Sequence, residues 1–208
     1  MYQPAHFVQS DPAVMAELMR LHPLATLARS GTDGGIEADV LPLLWLPEGD
    51  GRQGRLQGHV ARPNPLWREA DGGSVLAMFH GPQGYVSPSL YPSKAHNPKV
   101  VPTWNYALVQ ARGSLRAIDD ADWLHDLLTR LTQTHETGRA VPWQVTDAPQ
   151  DYLAAMLRGV VGIEIRVDAL TAKFKLSQNR AADDRRGVIQ GTQTDPDLAA
   201  WMRRHAAP

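Results

Sequence analysis

The chain has 208 residues, enough for one substantial core, and its 43% hydrophobic and 21% charged residues form a globular mix that excludes wholesale disorder. A formal charge of −1 and a pI near 6.7 lack the basic excess of a dedicated nucleic-acid binder, and the absence of cysteine excludes disulfides, thiolate metal sites and cysteine nucleophiles. The opening MYQPAHF has no basic segment leading into an apolar run, and no stretch nears the ~18 apolar residues of a membrane span, so a cytoplasmic protein is expected.

In chain order, DPAVMAELMRL (residues 11–21) offers Asp11 as an N-cap, Pro12 at the first helical position, and Val14, Met15, Leu18 and Met19 on one side, which predicts a short amphipathic helix. From Leu24 to about Ala117 the texture changes to short apolar runs broken by Gly, Asp and Pro. ATLARS and IEADVLPLLWLP flank GTDGG, whose glycines supply positive-φ positions, so a hairpin is predicted; GDGRQG followed by RLQGHVA predicts a second. SVLAMFHG, YVSPSLY and VVPTWNYALVQARGSLRAI read as three more strands, the last long enough to bend near Gly113. Strands at this spacing without interleaved helices argue for an antiparallel sheet closed into a barrel and against a doubly wound nucleotide fold.

Beyond Ile118 the pattern turns helical. DADWLHDLLTRLTQTHE carries Trp123, Leu124, Leu127, Leu128 and Leu131 on one stripe, and APQDYLAAMLR repeats the design, giving a helical insert at about 119–158. VGIEIRVDALTAKFKLS returns to alternation and rejoins the barrel. A helical tail at about 181–208 follows the polar run QNRAADDRRG and ends with the capped helix DPDLAAWMRRH. The whole, residues 1–208, reads as a single domain.

Phosphate-loop and dinucleotide fingerprints are absent, and the eight histidines do not fall at metal-ligand spacing, so no metal site is assigned. Four segments remain as chemistry. In GHVARPNPLWREA, a strand with His59 runs through Arg62 into Asn64 and Pro65. These are helix-start signals, where free N–H groups and an arginine fork would welcome a phosphate; the ordinary alternative is a capped surface helix. In HGPQGYVSPSLYPSK, Ser87 and Ser89 project to one side of a strand interrupted by Pro88, an edge or bulge with free backbone groups, unless the segment is simply a turn-rich connection.

In VPTWNY, Thr103 and Asn105 face one way while Pro102, Trp104 and Tyr106 face the other. One side can hydrogen-bond a polar heterocycle, and the indole either packs in the core or covers a planar ring. In KFKLSQNR, Phe174 and Leu176 face in, with Lys173, Lys175 and Ser177 opposite. Gln178, Asn179 and Arg180 form a polar cluster at the strand exit, whose commonest fate is hydration.

Taken together and in this order, GHVARPNP, GYVSPSLYPSK, VPTWNY and KLSQNR resemble the PaiB family of FMN-binding negative transcriptional regulators, with likeness from YQPAHF to RRGVIQG. The resemblance implies a mainly β fold with added helices: an FMN-binding split β-barrel, related to pyridoxamine-phosphate oxidases and flavin reductases and usually a homodimer with FMN between subunits. It further implies that His59, Arg62 and Asn64 surround the FMN phosphate, and that Ser87, Ser89, Thr103 and Asn105 line the flavin cleft with Trp104 as a ring neighbour. Lys175, Gln178 and Asn179 would close the pocket. Two positions depart from the pattern: Leu90 stands where an aromatic residue is expected after SPS, and Thr192 where a leucine is expected.

A negative transcriptional regulator is the function so implied, and its effect is read as indirect. The alternatives are an FMN-dependent oxidoreductase of flavin-reductase or pyridoxamine-phosphate-oxidase type acting on a small molecule, and a barrel that serves as an interaction module without cofactor. FMN carries its own redox chemistry, so no catalytic residue is assigned. The charge balance and the lack of a helix-turn-helix count against direct DNA contact, although arginine pairs at 185–186 and 203–204 leave a local basic patch.

Overall fold

The computed structural model describes residues 1–48, 53–192 and 195–205. A 3₁₀ turn (Ala5–Phe7) leads into β1 (Val8–Gln9), α1 (Pro12–Leu21), β2 (Leu24–Ser30), β3 (Ile36–Pro42), β4 (Leu44–Leu46) and β5 (Arg55–Ala61). The one-turn helix α2 (Leu66–Glu69) and the strand β6 (Ser74–Val86) precede two 3₁₀ turns, Pro88–Leu90 and Pro92–Ala95. Then follow β7 (Thr103–Ile118), α3 (Ala121–Glu136), α4 (Gln150–Arg158), β8 (Val160–Lys175), α5 (Ala182–Gly191) and α6 (Pro196–His205).

Asp11 caps α1 as expected, and aspartates cap α3 and α6 in the same way. Asp11 accepts from the Ala13 N–H at 2.8 Å, Asp120 from Trp123 at 2.8 Å and Asp195 from Leu198 at 3.0 Å, each satisfying a donor that the first helical turn leaves free. In the first hairpin Gly34 has φ of 83°, the conformation its turn requires. The turn of the second hairpin, at residues 49–52, lies outside the described residues. One expectation fails: SPSLY is not a strand. After β6 the Ser87 hydroxyl accepts from the Ser89 N–H at 3.2 Å, which starts a 3₁₀ turn with Pro88 at its first position, so the two serines do not project from a strand face.

The described residues fall into two compact units: the first comprises Met1–His22, Phe79–Val109 and Thr171–Pro208, the second Pro23–Met78 and Gln110–Leu170. Strands β6, β7 and β8 each contribute a stretch to both.

In the second unit the strand order is β3-β2-β6-β7-β8-β5-β4, with β2/β3, β4/β5 and β5/β8 antiparallel. Alternation buries Ala25 and Leu27 of β2, Leu56 and Val60 of β5, Val75 and Ala77 of β6 and Ile163 and Ile165 of β8. Each large apolar side chain so buried stabilises by about 1.5–3 kcal/mol. Leu124, Leu127 and Leu131 form the buried stripe of α3. β7 continues through Gly113, where a side chain would fall 2.0 Å from the Arg166 carbonyl; glycine here permits close approach of β8.

In the first unit β6, β7, β8 and β1 follow one another, β1 pairing antiparallel with β8 through Val8 and Lys173. Met15, Leu18 and Met19 of α1 and Leu198, Trp201 and Met202 of α6 are buried, and the Trp201 ring meets Phe174 edge-on at 5.4 Å. No described helix is long and apolar enough to cross a membrane.

Candidate functional site

The KFKLSQNR segment closes β8 inside the first unit, and its lysines do not end in open water. Lys175 is half-buried; its Nζ donates to Thr103 Oγ1 and to the Trp104 carbonyl, each at 2.5 Å. Burial holds its ammonium below the ordinary lysine value, with the charges of Arg180 and Lys173 adding repulsion. Among the described residues no carboxylate lies within 4.0 Å of Lys173, Lys175 or Arg180. Aromatic faces partly take the place of anions: Lys173 lies 5.6 Å from the rings of Tyr2 and Tyr106, Lys175 5.9 Å from Phe7 and Arg180 4.7 Å from Tyr91. Tyr91 is itself only 2% exposed, and its hydroxyl has no partner among the described residues.

Of the VPTWNY group, Thr103 joins this cluster but Asn105 does not reach it. Asn105 is 0% exposed; its amide donates to Ser177 Oγ at 2.9 Å and approaches Met202 Sδ at 3.5 Å. Trp104, on the opposite side, is 54% exposed and meets the equally exposed Tyr85 edge-on at 6.2 Å. The alternation is as expected, but the polar side turns inward and the indole outward. Gln178 is also turned to its own chain: its amide donates to the Phe174 carbonyl at 2.5 Å and accepts from the Leu176 N–H at 2.7 Å, finishing the strand end. Asn179 is exposed.

Ser87 and Ser89 share one hydroxyl–hydroxyl bond at 2.8 Å, with Ser89 exposed. Their segment is clamped by α5. The buried Asp184 carboxylate accepts from the Ser93 N–H at 3.0 Å and from its hydroxyl at 2.7 Å. A side chain at Gly187 would fall 2.1 Å from the Leu90 carbonyl, so Leu90 rests against bare helix backbone. Thr192, the other departure, donates its hydroxyl to the Val188 carbonyl at 3.0 Å and ends α5.

His59, Arg62 and Asn64 stand in the second unit. Arg62 donates from Nε to the Arg158 carbonyl (2.7 Å), from Nη1 and Nη2 to the two Asp119 oxygens (2.8 and 2.6 Å), and from Nη2 to the Val160 carbonyl (3.1 Å). The pairing raises the arginine's proton affinity and holds the Asp119 carboxyl below its ordinary value, the hydrogen bond being the largest cause in both. The helix expected after Asn64 is a single turn; Asn64 Oδ1 accepts from the Leu66 N–H at 2.8 Å and its amide donates to Asp39 at 2.8 Å. Too short to sum a useful dipole and with a leading donor already satisfied, this turn offers little to a phosphate. His59 is held below its ordinary pKa by burial, and its Nδ1 is buried without a partner among the described residues.

Sequence reasoning assigned neither Arg180 nor Lys173 a site role and passed over Asp119, the carboxylate that occupies Arg62. The first two carry a readable signal, three cations in eight residues with no acid among them. Asp119 carries none, because its meeting with Arg62 spans 57 residues of sequence.

A family model described as "Putative FMN-binding domain" matches residues 1–169. The chain is 34% identical to an uncharacterized protein of Emericella nidulans, covering 92% of this chain and 90% of that one. It is 31% identical to the protease synthase and sporulation protein PAI 2 of Bacillus subtilis, over 94% and 90% of the two chains. Among solved structures, the FAD and heme binding protein from Mycobacterium smegmatis superposes with a TM-score of 0.59 at 18% identity, over 86% of this chain and 78% of the other. That likeness is one of fold, a mainly β split barrel with added helices. The matched domain and the identity to PAI 2 along nearly the whole chain together make this protein a member of the FMN-binding-domain family to which PaiB belongs.

Proposed function

We propose that the chain binds FMN non-covalently on its first unit, the phosphate held by Lys175, Lys173, Arg180 and the Thr103 hydroxyl, the isoalloxazine lying beside Trp104 and Tyr85. One observation carries this reading: a half-buried ammonium flanked by two more cations, with no carboxylate within 4.0 Å among the described residues. Burying a cation without an anion is unfavourable, and a phosphate removes the penalty while giving charge-assisted bonds. The donor set fits the group. Three cations and a hydroxyl suit a dianion, two exposed aromatic side chains suit a planar ring, and the unpartnered Tyr91 hydroxyl adds a spare donor. Ser89 and Asn179 are both exposed, and in this reading they would stand at the rim.

Bound FMN supplies hydride and electron chemistry; the chain's own residues bind, orient and screen it. Arg62 and Asn64 support the second unit in this reading, since a phosphate at Arg62 would have to displace Asp119.

The relationship to PAI 2 supports a regulatory role, exerted through the flavin-bound state rather than through DNA contact. Arg186 is paired with Asp183 and Arg204 with Glu17, so one member of each arginine pair is already neutralised by a carboxylate. We propose further that the protein works as a homodimer, a second copy covering exposed apolar side chains such as Ile36 and Val40 of β3. Purified protein should retain a visible flavin spectrum after incubation with FMN and desalting, and should not retard its own upstream DNA. A colourless protein that does not take up FMN would favour the interaction-module alternative instead.

A further inference from the structure

Ser177 follows the strand that carries Lys175, and among the described residues it is the one non-glycine with positive φ, at 69°. An L-residue held there is strained by about 1–2 kcal/mol, and such strain gathers where geometry serves a function. The restraint is Asn105. Its amide donates to Ser177 Oγ at 2.9 Å, and the hydroxyl lies 3.2 Å from Asn105 Oδ1 as a donor in return. Met202 Sδ of α6 accepts from the same amide nitrogen at 3.5 Å. Neither partner is free to leave: both are buried, and an unpaired buried polar group costs about 1–3 kcal/mol.

The left-handed residue reverses the chain, and the turn closes with the Arg180 N–H donating to the Ser177 carbonyl at 3.0 Å. Lys175 stands two residues before the reversal and Arg180 three after it. The residues just before Asn105 on β7, Thr103 and Trp104, accept from Lys175. A single buried amide therefore ties together the two ends of the cation cluster.

We propose that Asn105 is a positioning residue that touches no ligand: by holding Ser177 left-handed it sets Arg180 beside Lys175, so that both cations meet one anion. The proposal rests on the reading of this cluster as the FMN phosphate site. It replaces direct contact with the flavin, the role that the family resemblance implied for Asn105.

The test compares FMN affinity of the wild-type chain with that of Asn105→Ala and Ser177→Ala across ionic strength, by fluorescence titration. Ser177→Ala removes the hydroxyl that Asn105 grips and keeps the cost of positive φ, which glycine would not, and it leaves β7 unaltered if Asn105→Ala does not fold. Weakening of about tenfold is expected at low salt, the scale of one misplaced charge-assisted contact. The difference should shrink toward 1 M salt, where the screening length falls to about 3 Å. An equal loss at every salt concentration would mark general loosening and overturn the proposal, as would unchanged affinity. Wild-type protein that binds no FMN would remove the site itself, a separate failure visible in the first titration.

Discussion

Trp104 and Asn105 exchange the environments that alternation of apolar and polar residues assigns them. The sequence separates their faces correctly, because a strand's period of two leaves no choice. It cannot say which face is wet, since the buried face is made acceptable to an amide by Ser177 and Met202, which are 72 and 97 residues away. Lys175 shows the reverse limit. Its neighbours in sequence announce a cation cluster, but only the fold removes it from water. Replacing Lys175 with Gln should weaken FMN binding roughly ten- to a hundredfold, the range for one hydrogen bond to a charged group, as read by fluorescence titration.

The pH dependence follows from the direction of the lysine shift. In the free protein Lys175 loses its proton below the ordinary 10.5, and the neutral amine no longer attracts phosphate. FMN affinity should therefore hold at neutral pH and fall as pH rises toward 10.5. Lys175→Arg should flatten that decline, because guanidinium stays charged; an equal decline in both proteins would assign the titration elsewhere. Arg62→Ala should lower the melting temperature with FMN affinity unchanged. Lost FMN binding in a variant that melts normally would return Arg62 to the phosphate.

Among the elements, those with capping residues and unbroken stripes were the legible ones, as α1, α3 and α6 show. SPSLY was not, because a serine cap next to proline encodes a 3₁₀ turn as readily as an interrupted strand, and the decision rests on α5. That helix holds the segment through Asp184. Asp184→Ala would strip the Ser93 N–H and hydroxyl of their acceptor, at about 2 kcal/mol, lowering the melting temperature by about 4–8 °C. Hydrogen exchange should quicken across residues 88–97 in particular; unaltered exchange there would show that the clamp is not Asp184.

On β5, burial keeps His59 neutral in the folded chain while the unfolded chain takes up a proton near 6.5. Its contribution to stability is thus complete above about pH 6.5 and is lost as pH falls through the depressed folded value. Denaturant midpoints for His59→Gln should depend less on pH between 7 and 5 than those of the wild type. An identical slope would exclude this histidine as a source of acid sensitivity.

At the scale of the whole molecule, composition and spacing were enough for a mainly β barrel with added helices, since strand runs without interleaved helices leave few other solutions. They did not reveal the partition into two units, because β6, β7 and β8 are each continuous in sequence and divide only in contacts. The division bears on function: His59, Arg62 and Asn64, first grouped around the phosphate, lie in the second unit, whereas Lys173, Lys175 and Arg180, with no carboxylate within 4.0 Å among the described residues, lie in the first. The most direct check is calorimetric titration of FMN into the purified protein at low ionic strength. Saturable binding of one FMN per chain, weakened by salt and by Lys175→Gln, is the predicted result. No heat of binding from correctly folded protein, or binding indifferent to both salt and Lys175, would contradict it.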